Sequence, residues 1–177
     1  MKKWLKMALG GGVLLVISFF AFRTWTKSFS PEAEASISEK DFKAHVFYCR
    51  PSRKGRVIFG GLVPYGKVWR TGANEATVIR LEQDTYIAGS LLEKGSYSLW
   101  TIPDPKEWTV IFNRETGQWG TQYDPEEDVL KVKIAPQYQA DTVEMFTISL
   151  KPNKGEYFLV LEWENTRVAV PMKKAAN

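Results

Sequence analysis

The chain has 177 residues, enough for one ordinary domain and a terminal segment, and 44% of them are hydrophobic, which is typical of a protein with a buried core. Its formal net charge is +4, but five of its 24 basic residues lie in residues 1–30, which contain no acid. The remainder carries 19 basic and 20 acidic residues, and this near-neutrality argues against a nucleic-acid binder that works through bulk charge.

Residues 1–27 have the pattern of a membrane segment. Three lysines among the first six residues precede an uncharged run of 16 residues, 7–22, which ends at Arg23. The run is shorter than a transmembrane helix of about 20 residues, but Trp4 and Trp25 flank it as interfacial anchors do. These features favour an uncleaved signal-anchor over a cleaved signal peptide. The leading lysines favour an exported domain, periplasmic if the cell is Gram-negative.

Residues 28–41 are polar and acidic, contain Pro31, and are interpreted as a linker with room for a short helix. A β-domain is predicted over residues 42–171, with a tail at 172–177. Short runs rich in Val, Ile, Phe, Tyr, Trp and Thr follow one another, separated by Gly, Pro, Asn and Asp. The predicted strands are residues 42–49, 56–59, 76–81, 85–88, 96–102, 108–113, 129–134, 143–150, 157–163 and 167–170.

Ten short strands without a long helical pattern predict an all-β fold, an antiparallel sandwich or a barrel-like domain, behind an N-terminal transmembrane helix. Alternation along two of the strands predicts which side chains face the core. The core-facing sets are Trp108, Val110 and Phe112, and Tyr157, Leu159, Leu161 and Trp163.

Residues 42–74 contain seven basic residues and no acid, the strongest local charge asymmetry in the chain. Arginine forks match carboxylate and phosphate groups, and the glycines between them let backbone N–H groups approach an anion. An anion-binding loop is therefore predicted over residues 50–75. The alternative is that these arginines pair with the acids of residues 124–128 or cover apolar surface with their stems.

Within this loop, three arginines are predicted to fix the anion, Asn74 to orient it and Glu75 to hold an arginine in place. The predicted ligand-binding residues of the loop are Arg53, Arg56, Trp69, Arg70, Asn74 and Glu75.

The same loop carries Pro51, the triplets at residues 54–56 and 58–60, and the run Trp-Arg-Thr-Gly-Ala-Asn-Glu at residues 69–75. In these motifs the chain resembles the bacterial domain of unknown function numbered 2911. The resemblance covers about residues 44–170 and implies a bacterial, usually exported domain. That family has no established activity, so the resemblance implies no catalytic residue.

Other patterns carry weaker predictions. Asn74-Glu75 resembles the acid/base pair of some glycosidases, but the sequence identifies no second acid. His45 and Cys49 lie on a predicted strand, about 13 Å apart, too far for a hydrogen bond. Trp119 and Tyr123, on a predicted loop rich in glycine and polar residues, are candidates for ligand contact or for packing over a hairpin end.

Cys49 is the only cysteine, so no intrachain disulfide can form. One cysteine and one histidine do not make a zinc site, and the acidic residues 124–128 lack the spacing of a calcium loop. No cofactor and no metal are predicted.

The leading hypothesis is a membrane-anchored, extracytoplasmic β-domain that binds an anionic or saccharide ligand, or a protein partner, through the loops of residues 50–75. The first alternative is a structural or assembly subunit of a cell-envelope complex, and the second is a small envelope hydrolase. The sequence favours a protein that is not an enzyme.

Overall fold

The structure, a computed structural model, describes Ser18, residues 25–39 and residues 41–175. This part of the chain forms ten β-strands, a helical segment at residues 25–29 and one short 3-10 helix, Pro125–Glu127. The strands are β1 (Glu32–Glu39), β2 (Phe42–Cys49), β3 (Thr77–Leu81), β4 (Thr85–Ile87), β5 (Ser90–Leu92), β6 (Gly95–Ile102), β7 (Trp108–Asn113), β8 (Asp128–Ile134), β9 (Gln137–Asn153) and β10 (Glu156–Lys174).

The strands form two antiparallel sheets. The larger has six strands in the order β1-β2-β3-β6-β7-β8, and the smaller has four in the order β5-β4-β10-β9. Their facing sides share one continuous hydrophobic core. The predicted all-β antiparallel sandwich is confirmed.

Strict alternation places the core residues. Phe42, Ala44 and Val46 of β2 are fully buried while the residues between them are more exposed. The two sets predicted from alternation, on β7 and β10, all lie in the central core. Because the side chains of a strand point alternately to its two faces, one face of each strand supplies the core.

Strands β4 and β5 form a two-residue hairpin. Ala88 and Gly89 at its turn have φ values of 47° and 88°. Left-handed conformations at both central residues define the type of turn whose twist matches that of the flanking strands. The sequence pattern predicted β4 but not β5.

Two predicted strand assignments differ from the structure. Residues 56–59 lie in an irregular loop and not in a strand. The separately predicted strands at residues 157–163 and 167–170 are parts of one strand, β10, which continues to Lys174. The register against β9 shifts on both sides of Glu164, whose φ is 54°. A β-bulge therefore bends one long strand where the sequence indicated two.

The predicted linker does not hold for residues 32–39, which form β1 and pair with β2 along their whole length. Ala33, Ala35 and Ile37 point toward the core, and the residues between them are exposed. The alternation is present in the sequence, but two of its three inward side chains are only methyl groups, so the apolar signal is weak. The sheet begins ten residues before the predicted domain boundary.

Among the described residues, no helix has both the length and the apolar character needed to cross a membrane. The predicted membrane segment, residues 7–22, lies outside the described residues except for Ser18.

Substitution of Ile37 tests the assignment of β1. Ile37 is 8% exposed and packs at the margin of the core, so Ile37→Ala should lower the free energy of unfolding by about 2 kcal/mol. The exposed neighbour variant Ser38→Ala should change it by less than about 0.5 kcal/mol. Chemical denaturation measures both values. Equal stability of the two variants would show that this segment is not part of the folded sheet.

Candidate functional site

The long loop between β2 and β3, residues 50–76, crosses one end of the sandwich and is bound to both sheets. On the side of the smaller sheet, Arg53 N donates to Glu144 O (2.7 Å) and Phe146 N donates to Pro51 O (3.0 Å). On the side of the larger sheet, Trp69 N donates to Thr101 O (2.7 Å). The backbone of the loop is therefore fixed at several points by the two sheets.

Two aromatic residues of the loop enter the core. Trp69 stacks on Trp163 with ring centroids 5.8 Å apart and meets Phe146 edge-on at 5.0 Å. Phe59 meets Trp108 at 4.8 Å. Such pairs stabilise beyond the area they bury. We call these five residues the aromatic cluster; it attaches the loop to strands β7, β9 and β10.

The bulge in β10 also serves the loop. It directs the Glu164 carboxylate toward the loop, where it accepts a hydrogen bond from Ile58 N (3.3 Å) and pairs with Arg53 Nε (3.3 Å). Bulges are often used to redirect a side chain in this way. Arg53 is thus paired with an acid of β10 and not with the acids of residues 124–128.

Arg53 and Arg56 also brace the loop internally. Arg53 Nε donates to Arg56 O (3.0 Å), while Arg56 Nε donates to Arg53 O (2.9 Å) and Arg56 Nη2 donates to Ser52 O (2.6 Å). These bonds hold residues 52–56 in a tight turn. Part of the hydrogen-bonding capacity of both arginines is therefore structural.

A cleft of about 420 Å³ opens between this turn and the rest of the loop. Its cationic lining side chains are Lys54, Arg56, Lys67 and Arg70, and none of the described residues that line it carries a carboxylate. Trp69 contributes aromatic surface to it, and the almost fully buried Trp163 stacks on Trp69. We call it the basic cleft.

Phe29 forms another part of the cleft wall, and Lys54 Nζ lies 5.3 Å from the centre of its ring. This cation–π contact holds the ammonium group beside the opening.

Arg70 is the most deeply placed of the four cations. Its Nη1 donates to Gly120 O (3.2 Å), and its Nε is buried without a hydrogen-bond partner among the described residues. Burial lowers the pKa of the Arg70 guanidinium, which nevertheless stays charged because arginine starts far above physiological pH. A buried donor without a partner is uncommon and calls for a water molecule or a ligand.

Asn74 and Glu75 lie outside the basic cleft. Glu75 lines a second cleft of about 600 Å³ together with Glu32, Glu34 and Cys49. Lys27 pairs with both Glu32 and Glu75. Burial raises the pKa of the Cys49 thiol, which makes it a poor nucleophile.

The second cleft gives Glu75 carboxylate neighbours, which the hydrolase hypothesis requires, but Lys27 occupies the space between two of them. Asn74 has a left-handed φ of 59°, and its carbonyl accepts a hydrogen bond from Gly120 N (3.0 Å). Its position is that of a turn residue.

Trp119 and Tyr123 lie on the β7–β8 loop and do not line the basic cleft. Trp119 is half-buried and forms a β-bridge with Glu75. Tyr123 packs on Trp100 at 5.0 Å, and its hydroxyl donates to Asp128. Burial and this hydrogen bond raise the pKa of Tyr123. Tyr123 thus covers part of the outer face of the larger sheet, where it packs against Trp100.

The structure thus brings together three of the eight residues predicted from sequence, Arg56, Trp69 and Arg70. It adds Lys54, Lys67 and Phe29, which are not among the residues predicted from sequence. Both lysines belong to the acid-free segment, so that signal could have identified them. Phe29 contributes through a tertiary contact, for which the sequence holds no signal.

These features define an all-β sandwich domain with a basic cleft built by one long loop. A family model described as a protein of unknown function, DUF2911, matches residues 30–172. The match covers most of the chain, which therefore belongs to the DUF2911 family, as the loop motifs indicated. Neither a curated protein nor a solved structure matches the chain.

Substitution of Gly120 tests the packing beneath Arg70. A β-carbon at this position would lie 2.0 Å from Arg70 Cδ and 2.6 Å from Asn74 O. Gly120→Ala should therefore lower the free energy of unfolding by about 2 kcal/mol. The control is the exposed neighbour, Thr121→Ala, which should be near neutral. Urea denaturation measures the free energy of unfolding of both variants. If Gly120→Ala left it unchanged, the Arg70 side chain would not pack against Gly120.

Proposed function

We propose that this chain is a membrane-anchored, extracytoplasmic binding domain whose basic cleft takes a small carboxylate- or phosphate-bearing ligand. The observation that carries the proposal is the lining of the basic cleft, whose described residues include four cations and an aromatic side chain, Trp69, but no acid. Membrane attachment and export rest on the lysine-flanked apolar run at residues 7–22.

The cleft is suited to an anion in three respects. Its cations come from a stretch without acids, so their charge is not cancelled by neighbours along the chain. Arg56 and Arg70 are fixed at one side by bonds to backbone carbonyls, which lowers the entropy lost when a ligand binds. The buried Arg70 Nε has no partner among the described residues, so a ligand group that reached it would satisfy an otherwise unpaired donor.

The aromatic lining favours a ligand with an apolar or ring-shaped part beside the anionic group. Ligand pockets commonly combine apolar walls with a few polar groups that fix orientation. A volume of about 420 Å³ fits a small molecule and not a folded protein domain.

Binding of citrate and pyrophosphate to the full chain in detergent, measured by calorimetry, tests the proposal. Loss of one charge-assisted contact costs about 1.5–3 kcal/mol, so Lys67→Gln should weaken binding at least about tenfold. Arg56→Gln should do the same, with some loss of stability because it also bridges the loop carbonyls.

Lys94→Gln is the matched control. Lys94 immediately precedes β6, whereas the loop pairs with Thr101 near the other end of that strand, roughly 20 Å away. The control should bind as the parent chain does. Absence of binding by either anion, or equal loss in Lys67→Gln and Lys94→Gln, would refute an anion site in the basic cleft.

A further inference from the structure

Four large apolar side chains are exposed around the basic cleft. They are Val57 (64% exposed), Leu62 (47%), Tyr65 (38%) and Val68 (40%). Ten large apolar residues of the described chain are exposed in total, so this one loop carries a disproportionate share of them. Single exposed apolar residues are ordinary, but a group of this size marks an interaction surface.

The four residues belong to one rigid protrusion. Leu62 N donates to Val57 O (3.1 Å), and Val63 N donates to Ile58 O (2.9 Å), which closes residues 57–63 into a compact turn. Gly66 N donates to Pro103 O (2.9 Å) and anchors the second half of the loop. The apolar side chains are therefore held outward by a fixed backbone. We call residues 54–68 the protruding loop.

Basic residues are interleaved with the apolar ones. Lys54, Arg56 and Lys67 lie on the same loop and line the adjoining basic cleft, and this stretch of the sequence contains no acid. A surface that alternates exposed apolar and basic side chains has the chemistry of a segment that rests on an anionic bilayer. The apolar groups enter the headgroup region while the cations meet phosphate groups.

The sequence of residues outside the described part of the chain also indicates that this loop meets a bilayer. The apolar run of residues 7–22 ends three residues before Trp25. Trp25 is 60% exposed, and Phe29, four residues further on, forms a wall of the basic cleft beside Lys54. The protruding loop therefore lies close to the point at which the proposed membrane segment ends.

We propose that the protruding loop docks onto the surface of a bilayer rich in anionic phospholipid, so that the sandwich is held against the membrane at this end. The proposal rests on the membrane attachment of the proposed function, but not on a ligand in the basic cleft. Docking uses Val57 and Tyr65, which do not line that cleft.

The test places an environment-sensitive fluorophore at Val57→Cys in a Cys49→Ala background of the full chain. The protein is incorporated in nanodiscs of phosphatidylcholine alone or with phosphatidylglycerol, some carrying a lipid-bound quencher. Leu91→Cys is the matched control. Leu91 is also exposed, but it lies on β5, which precedes the first residue of β6, whereas the loop pairs with Thr101 near the last residue of β6.

The fluorophore at position 57 should be blue-shifted and quenched in phosphatidylglycerol nanodiscs, and the fluorophore at position 91 should show neither effect. Lys54→Glu with Lys67→Glu should remove the dependence on phosphatidylglycerol, because each cation near an anionic surface contributes about fivefold in partitioning. Both lysines are exposed, and a melting curve checks that the variant remains folded.

Three results would overturn the docking proposal. They are no quenching at position 57, equal quenching at positions 57 and 91, and a blue shift without lipid quenching, which would indicate a protein partner or a second copy. Failure to enter nanodiscs would instead refute the membrane attachment. Anion binding should persist in Val57→Asn, which adds no charge beside Arg56, and this separates docking from the basic cleft.

Discussion

The stacking of Trp69 on Trp163 is the contact on which the functional end of this protein depends. Trp69 belongs to the long loop and Trp163 to β10, and their ring centroids are 5.8 Å apart. Phe59, Phe146 and Trp108 complete the contact from both sides. Without this aromatic cluster, a loop of more than twenty residues with many glycines and cations would be expected to move freely. With it, the loop becomes a fixed part of the sandwich end, and Lys54, Arg56, Lys67 and Arg70 become the lining of one cleft.

The cluster is supported by a second constraint, the bulge at Glu164. Glu164, with its left-handed backbone, shifts the register of a long strand. Its carboxylate pairs with Arg53 and accepts a hydrogen bond from Ile58 N. Glu164 therefore comes from a distant strand and is paired with Arg53 at the base of the loop, and Glu144 of β9 accepts a hydrogen bond from Lys54 N (2.8 Å). The Glu164 carboxylate is absent from the lining of the basic cleft, whose positive charge stays available. The same bend in β10 thus supplies a carboxylate that fixes the loop backbone without joining the lining of the basic cleft.

The sequence determined the fold class because alternation of apolar and polar residues is a local signal. It located β2 and β7 with the bounds that the structure has, since their inward residues are large and apolar. It missed β1 because Ala33 and Ala35 are small, and it divided β10 at Glu164 because a bulge leaves no mark in composition. For the site, the acid-free segment predicted a basic loop, but not which side chains meet. Arg53 and Glu75 are close in sequence to the residues that line the cleft, but they do not line it. Arg53 pairs with Glu164 and Glu75 pairs with Lys27, and these tertiary contacts leave no signal in the local sequence.

Hydrogen exchange of the loop amides tests most directly whether the loop is a fixed structure. The amides of Gly60, Val63, Gly66 and Trp69 donate to carbonyl groups at 2.7–2.9 Å, two of them across to the β6–β7 region. Because the aromatic cluster holds these bonds closed, the four amides should exchange as slowly as those of β2 and β6 in the full chain. Exchange at the rate of an unstructured peptide, with the strands still protected, would show that the loop opens independently and that neither the basic cleft nor the protruding loop is preformed.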